Sequence, residues 1–317
     1  MIRRQGTEDG GQSLGCRNAA CPEQLRGKAA TNTQSLVFRP RSTDGFTLVE
    51  MIVVIVITGI IGGIVAMFIR APMQGYVDSA RRAAMTDIAD TALRRMSRDL
   101  RLALPNSIRV NVAAGVYYVD FLSTSGGGRY RANGATTAFC PGGDVLDFTA
   151  ADICFEILGP PIQFLTNDQV VVYNLGIPGA DAYEGNTTSA HVRRAYSGGV
   201  AAPVQFVTLT SGNPLPFESP TQRFHVVHEQ VRYICNPNAG TETLTRFVLG
   251  GGAIVTPTAA VPGVPGALLA SHVTGCRFEY NPNVVAQRTG MLSLQLTLTD
   301  SGESVTLYNA THVSNEP

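Results

Sequence analysis

Residues 45–70 read GFTLVEMIVVIVITGIIGGIVAMFIR, and this stretch decides the fold. From Met51 to Ile69 it contains 19 residues without a charged side chain. At about 1.5 Å per residue, a helix of that length reaches about 28 Å, which is close to the hydrocarbon thickness of a bilayer. A helix in a soluble core would carry a polar stripe, and this one carries none. The sequence therefore predicts a membrane-spanning helix over residues 46–70.

The residues around the apolar run favour a retained anchor over a cleaved signal. Arg39 and Arg41 precede the run, as cytoplasmic flanking charges do, although Arg70 at the far end is a counter-signal. A secretory signal peptide would have a shorter apolar region followed by a small-residue cleavage site. Here the run is longer, and the residues after it continue in a helical pattern. We therefore expect a single-pass membrane protein.

The hexapeptide GFTLVE at residues 45–50 resembles the prepilin peptidase recognition sequence of type IV prepilins. In that family the peptidase cuts after the glycine, and the new N-terminal amine is methylated. The resemblance implies cleavage between Gly45 and Phe46, N-methylation of Phe46, and a leader peptide at residues 1–45. Such a leader is long for the family, so a translation start near residue 36 is the alternative.

Glu50 matches the acidic residue that the family uses in assembly. A carboxylate inside a membrane span costs about 2.5–3.5 kcal/mol on insertion scales, so it needs a partner there. The new amine of Phe46 in a neighbouring subunit supplies the opposite charge, which would set the axial register of subunits in a polymer. The alternative is that Glu50 lies at the headgroup boundary before an ordinary anchor.

Residues 71–105 are predicted to form an amphipathic helix that packs on a following sheet and ends at Pro105, because proline cannot continue the hydrogen-bond ladder. Arginines and aspartates interleave on the opposite face, several at ion-pair spacing, which favours a solvated or subunit-contact face over a lipid or nucleic-acid site. The apolar positions recur every three or four residues: Met73, Val77, Ala80, Ala84, Ile88, Ala92, Met96 and Leu100.

Residues 106–317 are predicted to form a β-rich domain, because short β-branched and aromatic runs alternate with turn clusters. The result is an α+β fold in which a long N-terminal helix precedes an antiparallel sheet. The last two runs are predicted to form a closing hairpin, and the Pro-, Ala- and Gly-rich stretch Thr256–Leu269 an exposed loop. The predicted strands are Val116–Leu122, Ile153–Leu158, Gln169–Leu175, Val204–Thr210, Phe224–Ile234, Thr245–Leu249, Cys276–Tyr280, Met291–Leu298 and Ser304–Tyr308.

Four cysteines lie in the β-rich region, and four cysteines allow three disulfide connectivities. Cys140 and Cys154 enclose a short polar loop, so Cys140–Cys154 with Cys235–Cys276 is the economical pairing. An oxidising compartment favours such bonds over the alternative of four buried thiols. No CxxC pair is present, which argues against a zinc ribbon and against a thioredoxin-like redox site.

The composition argues against an enzyme and against nucleic-acid binding. The only lysine is Lys28, so the later chain has no P-loop, Schiff-base or general-base lysine. Residues 106–317 carry 10 basic and 15 acidic side chains, which gives no overall positive field for phosphates. His225-Val-Val-His228-Glu229 has the order HxxHE, which is not a zinc protease motif, and on a strand its histidines would face opposite ways. We predict no catalytic residues, no cofactor and no metal site.

A cluster of polar side chains in one loop, Asp181, Glu184 and Asn186, could offer calcium ligands but lacks the spacing of a known ion-binding loop.

A closer resemblance covers residues 45–70, 91–109 and 127–131, which are similar to the MSHA-type pilus biogenesis protein O family of minor pseudopilins. It implies an inner-membrane protein with a periplasmic C-terminal domain. Its partners would be prepilin peptidase, other pilin or pseudopilin subunits, the pilus assembly platform and the membrane. The alternatives are a minor pseudopilin of type II secretion, and a tip adhesin or DNA-uptake minor pilin.

Overall fold

The computed structural model describes residues 45–134, 144–184, 191–210, 214–250, 252, 254–285 and 289–317. The chain forms two compact units, Met1–Gly62 and Gly63–Pro317. The described elements are one helix and twelve strands: α1 Leu48–Leu100, β1 Arg109–Ala113, β2 Val116–Tyr130, β3 Cys154–Leu158, β4 Gln169–Val171, β5 Arg193–Ala195, β6 Phe206–Thr208, β7 Arg223–Asn236, β8 Thr243–Leu249, β9 Ala267–Ser271, β10 Val273–Val285, β11 Thr289–Asp300 and β12 Glu303–Ser314.

Helix α1 is continuous through Pro72 and ends at Leu100, before the expected end at Pro105. Pro72 has no backbone N–H and so removes one backbone hydrogen bond, and this loss does not end a helix of 53 residues. The early end has a tertiary cause, because the next residues pair with β2. The N–H of Leu104 donates to the Leu122 carbonyl at 2.7 Å, and the N–H of Thr124 donates to the Leu102 carbonyl at 2.8 Å.

The unit Gly63–Pro317 contains two antiparallel sheets, which confirms the predicted α+β layout. The larger sheet has the order β5-β4-β7-β2-β3-β6. In addition, β1 pairs with β2, β8 pairs with β7, and β9 pairs with β8. The smaller sheet is β10-β11-β12. Its closing hairpin is confirmed, with Ser301 and Gly302 at φ 51° and 88° in a two-residue turn. Positive φ at both positions is the geometry of a type I′ turn, which suits the twist of paired strands.

The main core lies where the C-terminal part of α1 meets both sheets. Of the predicted apolar face, Ala92, Met96 and Leu100 are buried, whereas the five predicted positions from Met73 to Ile88 are all exposed. The buried residues of α1 begin at Met85, so the predicted positions before it lie outside the core, and Ile88 lies off the buried face. The core contains Met85, Ala89, Ala92, Leu93, Met96 and Leu100 from α1, Val119, Phe121, Val231 and Tyr233 from the larger sheet, and Leu292, Leu294, Leu296 and Leu298 from the smaller one.

A polar network at Asp99 fixes the helix to the larger sheet. Asp99 Oδ2 accepts hydrogen bonds from Tyr233 Oη and from Arg246 Nε, each at 2.7 Å. Arg95 approaches the other carboxylate oxygen at 3.4 Å, and Arg246 also reaches Glu229 at 3.5 Å. Burial, together with the hydrogen bond to Asp99, raises the pKa of Tyr233 above its ordinary value. The hydroxyl of Tyr233 therefore stays neutral and acts as a donor to Asp99.

A disulfide joins Cys235 on β7 to Cys276 on β10 and so links the two sheets covalently. This is one of the two pairs expected from the sequence. Cys154 is also disulfide-bonded, and the expected partner, Cys140, lies outside the described residues.

Strands form at all nine predicted positions. Several are longer than expected, whereas β4 and β6 are only three residues long, against seven predicted for each. The short strands β1 and β5 were not predicted. The prediction of an exposed loop over Thr256–Leu269 was wrong at its end, because β9 begins at Ala267. Its pairing with β8 is a long-range contact that composition does not report.

Candidate functional site: the N-terminal junction and the apolar helix

The junction between Gly45 and α1 is an exposed, non-helical segment with a capped helix behind it. Gly45, Phe46 and Thr47 are exposed and precede the first helical residue, Leu48. The Oγ1 atom of Thr47 accepts a hydrogen bond from the N–H of Glu50 at 3.2 Å. This is the N-cap interaction, in which a side-chain oxygen satisfies a backbone donor that the helix leaves unpaired. Thr47 therefore fixes where the helix begins.

Glu50 occupies the third position after the cap, so residues 47–50 follow the capping-box pattern T-x-x-E. Its carboxylate lies in the first turn of α1, where the helix dipole favours negative charge. The capping role of Thr47 was not among the predictions from the sequence. The T-x-x-E spacing before an apolar run was the signal that could have found it.

The bond between Gly45 and Phe46 is open to an enzyme. Phe46 is 77% exposed, and a Cβ atom built on Gly45 would meet no atom within 4 Å. Exposed segments without regular secondary structure are the preferred sites of proteolytic cleavage. The local structure thus permits a protease to reach this bond, and nothing within the described part of the protein depends on Gly45 for packing.

The first part of α1 is apolar and unburied. It is long and apolar enough to cross a membrane, and none of the most apolar window is buried in the protein. The hydroxyl of Thr58 is satisfied within the helix, because it donates to the Val54 carbonyl at 2.7 Å. A span needs its polar groups paired in this way, since hydrocarbon offers no partner. The apolar helix and the junction together indicate a single-pass membrane anchor.

Residues 40–66 match the family model described as the prokaryotic N-terminal methylation motif. The chain carries the N-terminal motif of type IV prepilin-like proteins. The prepilin-like match covers the junction and most of the apolar run. No curated protein and no solved structure matches the chain. Proteins with this motif are processed by prepilin peptidase and assemble with other pilins as structural subunits.

The histidines of the HxxHE sequence lie on β7 and have separate surroundings. His228 Nδ1 lies 2.7 Å from Asp168 Oδ1. Burial lowers the pKa of His225 to about 4, so its ring is neutral at pH 7. Among the residues that the structure describes, no group of three or more His, Cys, Asp or Glu side chains could hold a metal ion.

The loop considered for calcium uses its carboxylates internally. Asp181 Oδ2 accepts from Arg109 at 2.9 Å, and the carboxylate of Glu184 accepts from the N–H of Gly179 at 3.0 Å. Asn186, the third residue of that hypothesis, lies outside the described residues. These contacts stabilise the loop and its link to β1.

Proposed function

We propose that this chain is a minor pilin or pseudopilin that prepilin peptidase cleaves between Gly45 and Phe46. The observation that supports it is the sequence GFTLVE in an exposed segment directly before an unburied apolar helix. The leader is the segment that ends at Gly45. Phe46 becomes the N-methylated first residue of the mature chain. Residues 46–70 anchor it in the inner membrane, and the arginines before the span favour a periplasmic location for the β-rich unit.

Glu50 is the residue that we assign to subunit assembly. Its carboxylate is exposed in the first turn of α1, next to the segment that carries the new N-terminus. In a membrane, an unpaired carboxylate costs about 2.5–3.5 kcal/mol, and a cationic Phe46 amine from a neighbour would offset that cost. The pairing fixes one subunit axially against the next.

We expect a Glu50→Gln chain to be processed normally but to be nearly absent from filaments, because glutamine cannot pair with the amine as an ion. The measurement compares the variant with the wild-type chain in sheared filament fractions and in membranes. A conservative Glu50→Asp variant serves as the control and should recover part of the incorporation. Normal incorporation of the Glu50→Gln chain into filaments would show that the charge of Glu50 is not needed for assembly.

The MSHA-type pilus is the system that we favour, with the chain as a priming or tip subunit. The similarity of residues 45–70, 91–109 and 127–131 to the MSHA-type pilus biogenesis protein O family supports this choice. A type II secretion pseudopilin shares every feature up to about residue 105, and neighbouring genes for secretion would favour that alternative. The excess of acidic side chains in residues 106–317 favours a structural subunit over a DNA-uptake pilin.

Processing is tested by intact mass and N-terminal sequencing of the membrane-bound chain, expressed with and without prepilin peptidase. We expect the peptidase to remove the leader and to leave a chain that starts at Phe46 and carries the added mass of one methyl group. An unprocessed chain, or one that is cut after the apolar run, would contradict the proposal.

A further inference from the structure

A groove lies between the end of α1 and strand β12, and the proposed function makes no use of it. Its volume is about 610 Å³. One wall is the C-terminal part of α1, and the other is the middle of β12 at Asn309 and Ala310. Both walls belong to the unit Gly63–Pro317.

The helical wall of the groove carries an excess of positive charge. Arg94 and Arg98 are four residues apart and so share one face of α1, and Arg101 follows directly after the end of the helix. All three arginines line the groove. Arg94 pairs with Asp90 at 2.6 Å. Within the described ranges, neither Arg98 nor Arg101 has a carboxylate at ion-pair distance. Two guanidinium groups therefore face the groove without a counter-charge.

Side-chain hydrogen bonds beside the groove connect its helical wall to β12. Ser97 Oγ donates to Asn309 Oδ1 at 2.9 Å, and Thr311 Oγ1 donates to Ser97 Oγ at 2.8 Å. Ser97 and Thr311 are buried, at 7% and 1% exposure. These bonds hold the arginine face at a constant position beside β12, so the groove exists before any ligand arrives.

The strand wall has an open edge. β12 pairs with β11 along its whole length, from Thr289↔Ser314 to Asp300↔Glu303. In the part of the chain that the structure describes, β12 pairs with no second strand. Its outer edge therefore presents backbone N–H and C=O groups that an additional strand can satisfy.

We propose that this groove binds an extended acidic segment of a partner protein. The segment adds to β12 as a further strand and places its carboxylates against Arg98 and Arg101. Charge complementarity selects an acidic peptide, and the open strand edge selects an extended one. Arg94 lies about 36 Å beyond Arg70 at the rise of an α-helix, which is too far for lipid headgroups at the end of the span to be the source of the negative charge.

The test is a binding titration with the unprocessed full-length chain in detergent micelles, so its result does not depend on cleavage at Gly45. The probe is a fluorescent peptide of alternating threonine and glutamate. One control peptide replaces glutamate with lysine, and a second keeps the charge but places proline at its centre to block strand pairing. Hydrogen exchange is followed in residues 303–314 with and without the probe.

We expect the acidic peptide to bind, to slow amide exchange in β12, and to bind about tenfold more weakly to the double variant Arg98→Gln/Arg101→Gln. The matched double variant Arg223→Gln/Arg277→Gln removes the same charge outside the groove and should bind as the wild type does. Arg98→Lys/Arg101→Lys keeps the charge and should retain most of the affinity.

Three results would each overturn the proposal. The first is equal binding of the lysine or proline peptide, and the second is binding without slower exchange in β12. The third is full displacement of the peptide by inorganic phosphate at a matched concentration, which would show a simple anion site. Circular dichroism of each variant checks that the fold is retained, which the exposed positions of Arg98 and Arg101 favour.

Discussion

A Gly45→Val chain is expected to remain at its full length in cells that contain prepilin peptidase, whereas the wild-type chain is expected to be shortened. Valine adds a branched Cβ next to the bond at which we propose cleavage. The folded chain can accommodate a side chain at position 45, since a Cβ there would meet nothing within 4 Å. A loss of cleavage would therefore report recognition by the peptidase and not a folding defect. The measurement is the intact mass of membrane-extracted protein.

The matched control is Gly59→Val, at another glycine where a Cβ would meet nothing within 4 Å. This variant lies within the apolar run, keeps residues 45–50 intact and should be shortened normally. Cleavage of Gly45→Val at the wild-type rate would show that the glycine is not part of the recognition sequence.

The second large effect is a loss of stability, which is expected when a buried ion pair between the central strands of the larger sheet is broken. Arg232 Nε donates to Asp120 Oδ1 at 2.7 Å, and the two residues are opposite each other in the β2–β7 ladder. Their exposures are 3% and 0%. Gln230 also donates to Asp120, and a second nitrogen of Arg232 donates to the Ala260 carbonyl at 2.8 Å. The pair thus joins two strands to the Pro-rich loop.

We expect Arg232→Met to lower the free energy of unfolding by about 4 kcal/mol at pH 7, because it leaves the Asp120 charge buried and unpaired. Burial already raises the pKa of Asp120. A carboxyl whose pKa is raised on folding favours the folded state more as the pH falls, so the penalty should shrink in acid. The measurement is urea unfolding of the full-length chain in micelles, followed by tyrosine fluorescence.

The double variant Asp120→Asn/Arg232→Met removes both charges and should be more stable than Arg232→Met alone. Arg277→Met is the matched control, since Arg277 is exposed and its pair with Glu279 lies in solvent. It should leave the unfolding midpoint unchanged. A double variant no more stable than Arg232→Met would mean that the penalty comes from lost packing.

Much of the fold could be predicted because the signals are local. The apolar run from Met51 to Ile69 and the period-two strand patterns need only the order of residues along the chain. The positions that were missed depend on distant partners. The helix stops at Leu100 because the following residues pair with β2, and β9 exists because β8 lies beside it.

The candidate site divides in the same way. The sequence by itself determined the junction at residues 45–50 and the anchor behind it, because a peptidase motif and a membrane span are contiguous in the chain. Only the tertiary structure decided which face of α1 is buried, which partners neutralise Asp99 and Asp120, and that Arg98 and Arg101 face an open strand edge. The partners of Asp99 on the larger sheet and those of Asp120 lie more than a hundred positions away in the chain, and Asn309 on β12 lies more than two hundred positions from Arg98 and Arg101. Side-chain packing and hydrogen bonding bring these residues together, so the order of residues along the chain does not reveal their contacts.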